Sequence, residues 1–331
     1  MNANTWAEQH ALAPREAGAD ADLRHCTQLL QAGSRSFWAA SHLLPSRIRP
    51  DVTAFYAFCR VADDAIDEGE DPGAALANLH ERVERIYQGR PVDDPVDRAF
   101  ARVVFDNRIP AALVEALLDG FAWDLEDRRY DTLDETLGYA ARVASTVGAV
   151  MTLIMGVDDR DALSRACDLG AAMQLTNIAR DVGEDARMGR LYLPADWLRR
   201  EGVDPQQWLH APTPSLGIRR ATARLLAHAD RLYARANAGI PALPRDCQPA
   251  IRAASTIYAD IGRVIARRGF DSVTRRARTS GWRKLWRLAQ AWTRRLAPQP
   301  ELLAVAPEPA LAFIVETVRP RALCPAPGVS P

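Results

Sequence analysis

Two groups of acidic residues carry the chemistry this chain could perform. Asp63-Asp64-Ala65-Ile66-Asp67 follows the apolar run Ala54-Phe-Tyr-Ala-Phe-Cys-Arg-Val61, and Asn177-Ile-Ala-Arg-Asp181-Val-Gly-Glu-Asp185 follows Leu169-Gly-Ala-Ala-Met-Gln-Leu175. At about 100° per helical residue, Asp63 and Asp67 share a face one turn apart, and Asn177, Asp181 and Asp185 repeat that step over two turns. Carboxylates set beside apolar runs need a neutralising partner. A hard divalent cation is the economical one, because Mg²⁺ takes one or two carboxylates and fills its other positions with water and substrate phosphate. Two such rows facing one another across a cavity would grip a diphosphate.

The remaining composition removes competing chemistries. The 331 residues carry 42 basic and 42 acidic side chains, so no global field favours nucleic acid. Lys284 is the single lysine and precedes Leu285, which excludes a Walker-type phosphate loop. No Gly-x-Gly-x-x-Gly follows a strand-like run, so a dinucleotide fold has no support. The 5 cysteines are far apart without a Cys-x-x-Cys, which fits a reducing cytosol. No secretory signal is expected from the N-terminal residues, and no run of 18 apolar residues occurs.

These residues must be positioned by helices. Ala-, Leu- and Met-rich segments are punctuated by Pro and Gly, strand alternation is absent, and 48% hydrophobic residues supply a core. The expected architecture is all-α, a single-domain helical bundle around a central apolar cavity. Residues 1–20 read as a mobile leader, 21–296 as the domain, and 297–331 as a Pro-rich tail in which only Ala310-Leu-Ala-Phe-Ile-Val315 is apolar enough to pack back.

The stretch from Gln174 to Pro194 is too long to match a motif by accident, and with it the chain resembles the squalene/phytoene synthase family, most closely its bacterial phytoene synthases. The likeness covers roughly residues 25 to 295. It also takes in Gly33-Ser-Arg-Ser-Phe37, Tyr56 through Asp67, Gly120-Phe-Ala-Trp-Asp-Leu125, Tyr139 through Gly148, Tyr258 and Arg275.

The resemblance implies a class I isoprenoid-synthase-like fold with Asp63, Asp67, Asn177, Asp181 and Asp185 as metal ligands. It implies Ser34, Arg35, Arg60, Arg180 and Arg275 on diphosphate oxygens, and Tyr139, Gln174 and Tyr258 beside the reacting carbons. The cofactor would be Mg²⁺, with Mn²⁺ as a substitute, and no NADPH is expected. Ser145 stands where relatives carry glycine, and Phe121 and Trp123 where they carry Met or Glu. The implied reaction is head-to-head (1′-1) condensation of two geranylgeranyl diphosphates to phytoene, in carotenoid biosynthesis. A C15-using squalene, dehydrosqualene or hydroxysqualene synthase is the alternative, and a non-catalytic assembly homologue the remote one.

Greasy substrates and product imply work at a membrane surface without spanning it. Ser272 to Pro300 holds no acidic residue, while Arg283, Lys284 and Arg287 alternate with Trp282, Trp286 and Trp292. That pattern suits peripheral contact with anionic lipid on the inner face of the membrane of a cytoplasmic protein.

Overall fold

A computed structural model describes residues 18–33, 38, 41–67, 69, 71–277 and 299–318. Ser34, Arg35 and the basic, Trp-rich segment 278–298 lie outside the described residues, as do most of the expected leader and the last residues of the tail. Every regular element among the described residues is helical.

The acidic rows sit on α2 (Arg49–Asp67) and α8 (Arg160–Arg187). Helix α2 buries Val52, Phe55 and Phe58 against α1 (Ala19–Gly33) and α4 (Pro95–Asn107), with the Phe58 and Phe100 rings stacked 4.1 Å apart. Buried Asp22 of α1 ties the same helices together through Arg98 (2.6 Å) and Arg102 (2.8 Å). Helices α3 (Pro72–Tyr87) and α5 (Ala111–Leu125) complete this half. Asp71 and Asp94 cap α3 and α4, each followed by a proline at the first helical position, where its missing N–H costs nothing.

Helix α8 is the axis of the other half. Asp159 caps it, and Gly189 ends it at φ +79°. The Gly189 N–H donates to the Ala186 carbonyl and the Arg190 N–H to the Asp185 carbonyl (2.8 Å), which is a Schellman closure. Around α8 pack α11 (Leu216–Gly239), α12 (Gln248–Arg267) and a continuous rod made of α6 (Leu133–Ala140), a π-helical turn (Ala141–Ser145) and α7 (Thr146–Ile154). Short helices α9 (Ala195–Arg200) and α10 (Pro205–His210) link α8 to α11.

The rod crosses α8 at near-contact distance, which requires glycine. A Cβ on Gly170 would meet the Ala144 carbonyl at 2.5 Å, and one on Gly148 the Ala166 carbonyl at 2.7 Å. Ser145 fits here without strain: it is fully buried, and its hydroxyl donates to the Cys167 carbonyl at 2.8 Å. The rod is long and apolar enough to cross a membrane, yet 61% of its most apolar window is buried inside the fold, as expected of a core helix.

Within the expected Pro-rich tail, a short helix α13 (Pro300–Leu303) precedes α14 (Pro309–Thr317), in which the apolar stretch 310–315 packs back onto the body with Leu311, Ile314 and Val315 buried. Fully buried Arg165 on α8 donates to the Leu302 and Val305 carbonyls, and Arg235 on α11 donates to the Ala306 carbonyl and to Glu308. Asp168 lies between the two guanidiniums, 2.9 Å from Arg165 and 3.0 Å from Arg235. The leader boundary moves, since α1 already begins at Ala19.

Candidate active site

The cavity runs along one stripe of α8. Ala162, Arg165, Ala166, Leu169, Gly170, Met173, Gln174 and Asn177 line it at helical i, i+3, i+4 spacing, over about 22 Å of rise. Val143, Val147, Met151 and Met155 from the rod face them, and Ile251 and Tyr258 of α12 close the side. The cavity volume is about 290 Å³. Gln174, Asn177 and Tyr258 are therefore brought together on the wall of one apolar cavity.

Just beyond Asn177 stands the acidic end. Asp185 is pushed up to about 7 by burial first and by neighbouring Asp181 second. Burial, then Asp67, likewise raises Asp63. Asp181 carries its own counter-charge: Arg180 donates to it at 2.8 Å, and Arg276 lies 2.7 Å from it. Arg60 pairs with Asp64 and lies 3.5 Å from Asp63. Arg275 is exposed and forms no ion pair with a described residue.

Arg190 connects the rows. Its backbone closes the end of α8 on Asp185, and its guanidinium lies 3.9 Å from Asp67 on α2. Between them sits Asp124 of α5, which accepts hydrogen bonds from Tyr139 (2.8 Å) and Tyr192 (2.7 Å). Burial raises Asp124, and the two phenols pull it back down. Tyr139 thus stands at the acidic end, stacked 4.9 Å from Tyr192, rather than in the cavity wall. The Trp123 ring is held between Arg128 (3.8 Å) and Arg142 (4.0 Å), so this departure from the family pattern packs as a cation–π sandwich.

The site suits divalent cations. Its donors are carboxylate and amide oxygens, the set a hard ion prefers. Asn177 Oδ1 is buried without a hydrogen-bond partner among the described residues, and Asp185 lacks a counter-charge strong enough to keep its ordinary acidity. Among the described residues no three acidic, His or Cys side chains converge as a ready-made cage.

Comparison with known proteins decides the family. Residues 30–283 match the squalene/phytoene synthase family model. The chain belongs to the squalene/phytoene synthase family. It is 52% identical over 314 residues to a phytoene synthase of Rhodobacter capsulatus, covering 93% of each chain. It is 51% identical over 311 residues to one of Cereibacter sphaeroides, covering 90% of this chain and 88% of that one. Among solved structures it is similar to a dehydrosqualene synthase in complex with a ligand, with TM-score 0.76, 31% identity, and coverage of 83% of this chain and 96% of that one. A squalene synthase of Alicyclobacillus acidocaldarius superposes with TM-score 0.72 at 25% identity, covering 76% and 95%.

Within this family site, sequence reasoning missed Asp124, Arg190, Tyr192 and Arg276. Arg190 had a signal, a cation directly after the helix-ending glycine that follows an acidic row. Asp124 and Tyr192 lie in stretches that carry the family resemblance, but nothing local signals their pairing, because only the fold brings residues 68 positions apart into a hydrogen bond.

Proposed function

We propose that the protein is a phytoene synthase, joining two geranylgeranyl diphosphates head to head (1′-1) through prephytoene diphosphate to phytoene. The observation that carries this reading is an apolar cavity whose lining residues on α8 span about 22 Å of helix rise, with the second acidic row continuing along the same helix. A C20 isoprenoid tail is about 20 Å long, so the stripe from Asn177 to Ala162 accommodates it with its diphosphate at the acidic end. Relatives that cover 93% and 88% of their own lengths bear the name phytoene synthase, which supports the same product.

In this reading Asp63, Asp67, Asn177, Asp181 and Asp185 hold Mg²⁺. When bound, such ions supply Lewis-acid stabilisation of the departing diphosphate and a template for its orientation. Arg60 and Arg180 complete the grip, since guanidinium forks match phosphate oxygens. The double bond of the second substrate attacks the allylic carbon of the first as its diphosphate leaves, and loss of a proton gives the cyclopropyl diphosphate. Departure of the second diphosphate, rearrangement and loss of a second proton then give the conjugated triene.

Water would quench the cationic carbons, and the Leu, Met, Val and Ala stripe excludes it. Gln174 and Tyr258 border the reacting carbons from the cavity wall. Tyr139 acts through Asp124, which it holds in place with Tyr192. Substrates and product are hydrocarbon-rich, so the enzyme works at an anionic membrane surface, a role supported by the basic, Trp-rich composition of residues 278–298.

The test is Mg²⁺-dependent release of diphosphate from geranylgeranyl diphosphate, coupled to extraction of a C40 hydrocarbon. Chelation should abolish both. Diphosphate release without a C40 product would overturn the condensation.

A further inference from the structure

Arg276 does more than line the site. It reaches Asp181 with two nitrogens, Nε at 2.7 Å and Nη2 at 3.1 Å, and Glu184 with the third at 3.0 Å. Asp181 therefore carries two guanidiniums at once, Arg180 and Arg276, while Asp185 one turn on is left to burial and like-charge repulsion.

The chain is shaped to deliver that contact. Helix α12 ends with Gly269 at φ +66° and Phe270 at φ +60°. A bulky residue in the left-handed region is strained and persists only where its surroundings impose it. The turn sends the chain back over α8, where Asp271 accepts from the Val273 and Thr274 N–H groups and from Arg219. The Ser272 carbonyl then accepts from the Gly183 N–H at 3.1 Å, in the middle of the acidic row. A Cβ on Gly183 would meet the Val273 carbonyl at 2.5 Å, so only glycine allows the loop to lie this close. Arg276 emerges from that docked loop directly onto Asp181.

We propose that Arg276 is the resident counter-ion of the second acidic row, occupying Asp181 while no divalent cation is bound and leaving it when one binds. A carboxylate bridged by two guanidiniums has its lone pairs in use and sits in a positive local field, so a cation must displace Arg276 before it can be coordinated. Arg180 is adjacent in sequence to its partner and stays; Arg276 reaches in from a separate, docked loop, and its partly exposed side chain can swing away. The inference rests on the reading of the acidic rows as the cation site.

Calorimetric titration of Mg²⁺ into the substrate-free full-length protein tests it. Arg276→Gln should tighten Mg²⁺ binding by about tenfold over wild type, and Arg276→Lys by less. Arg267→Gln, at the exposed end of α12, should change it less than twofold. Thermal unfolding checks that Arg276→Gln remains folded, as the Ser272–Gly183 and Asp271 contacts predict. Equal affinities for Arg276→Gln and wild type, or equal gains for Arg267→Gln and Arg276→Gln, would overturn the proposal. If wild type binds Mg²⁺ with inorganic diphosphate present and Arg276→Gln shows no gain without it, the counter-ion role alone falls. If no protein binds Mg²⁺ even with diphosphate, the cation site itself falls with it.

Discussion

The Arg190 guanidinium lies 3.9 Å from Asp67 on α2, while its backbone N–H caps α8 on the Asp185 carbonyl at 2.8 Å. One residue therefore spans the two acidic rows, whose helices α2 and α8 make no extensive contact of their own. Arg190→Gln keeps the Schellman closure and removes the charge. Turnover should fall at least tenfold, while stability drops by less than about 1 kcal/mol, the usual scale for a partly exposed pair. Unchanged turnover in a steady-state assay would show that the rows hold their spacing without it.

Asp185→Asn removes repulsion that the cation-free protein stores. Burial and Asp181 raise the Asp185 carboxyl to about 7, so its ionisation opposes folding. A raised carboxylate contributes stability below its unfolded value, and that contribution is lost as pH rises through 7. Asp185→Asn should therefore match wild type near pH 4 and exceed it above pH 7. The melting temperature should rise by roughly 2 °C per kcal/mol of repulsion removed, with turnover lost. A lower melting temperature at pH 8 would mark Asp185 as a structural partner instead.

Asp22 should behave in the opposite sense. Burial alone would raise it, but hydrogen bonds and charge from Arg98 and Arg102 hold it below the ordinary carboxylate range. Its contribution is present above the unfolded value and is lost as pH falls through the folded one. Asp22→Asn should cost about 3 kcal/mol at pH 7, the scale for breaking one partner of a buried pair. In denaturant melts the deficit should shrink steadily below pH 4, and a pH-independent deficit would argue for packing alone.

The C-terminal segment should be indispensable to folding. Ending the chain before Gln299 would strip carbonyl partners from buried Arg165 and Arg235 and uncover the core positions filled by Leu311, Ile314 and Val315. Buried charges without partners cost several kcal/mol, so the truncated protein should be insoluble or melt far below the full chain. A truncated protein with an unchanged melting temperature would contradict the buried latch.

Much of this was legible in the sequence, for reasons that differ by residue. The helices announce themselves because aspartate caps and first-turn prolines mark their starts and Gly189 marks an end. The acidic rows are legible because an i, i+4 step is local. The cavity stripe from Leu169 to Asn177 follows from the same periodicity. In the tail the apolar stretch 310–315 was legible, whereas the density of prolines hid that Pro300 and Pro309 each occupy the first turn of a short helix. Asp124 with Tyr139 and Tyr192, and Asp181 with Arg276, join distant segments, and no local pattern encodes which pairs will meet.

The most direct measurement is a competition in one vessel: purified protein, Mg²⁺, equimolar farnesyl and geranylgeranyl diphosphates, with and without NADPH, followed by extraction and mass analysis of the hydrocarbons. The cavity length along α8 predicts a C40 conjugated triene as the dominant product, equally formed in both arms and abolished in Asp63→Ala and Asp181→Ala. Predominant C30 hydrocarbon, or C40 product that survives loss of either aspartate, would contradict the account.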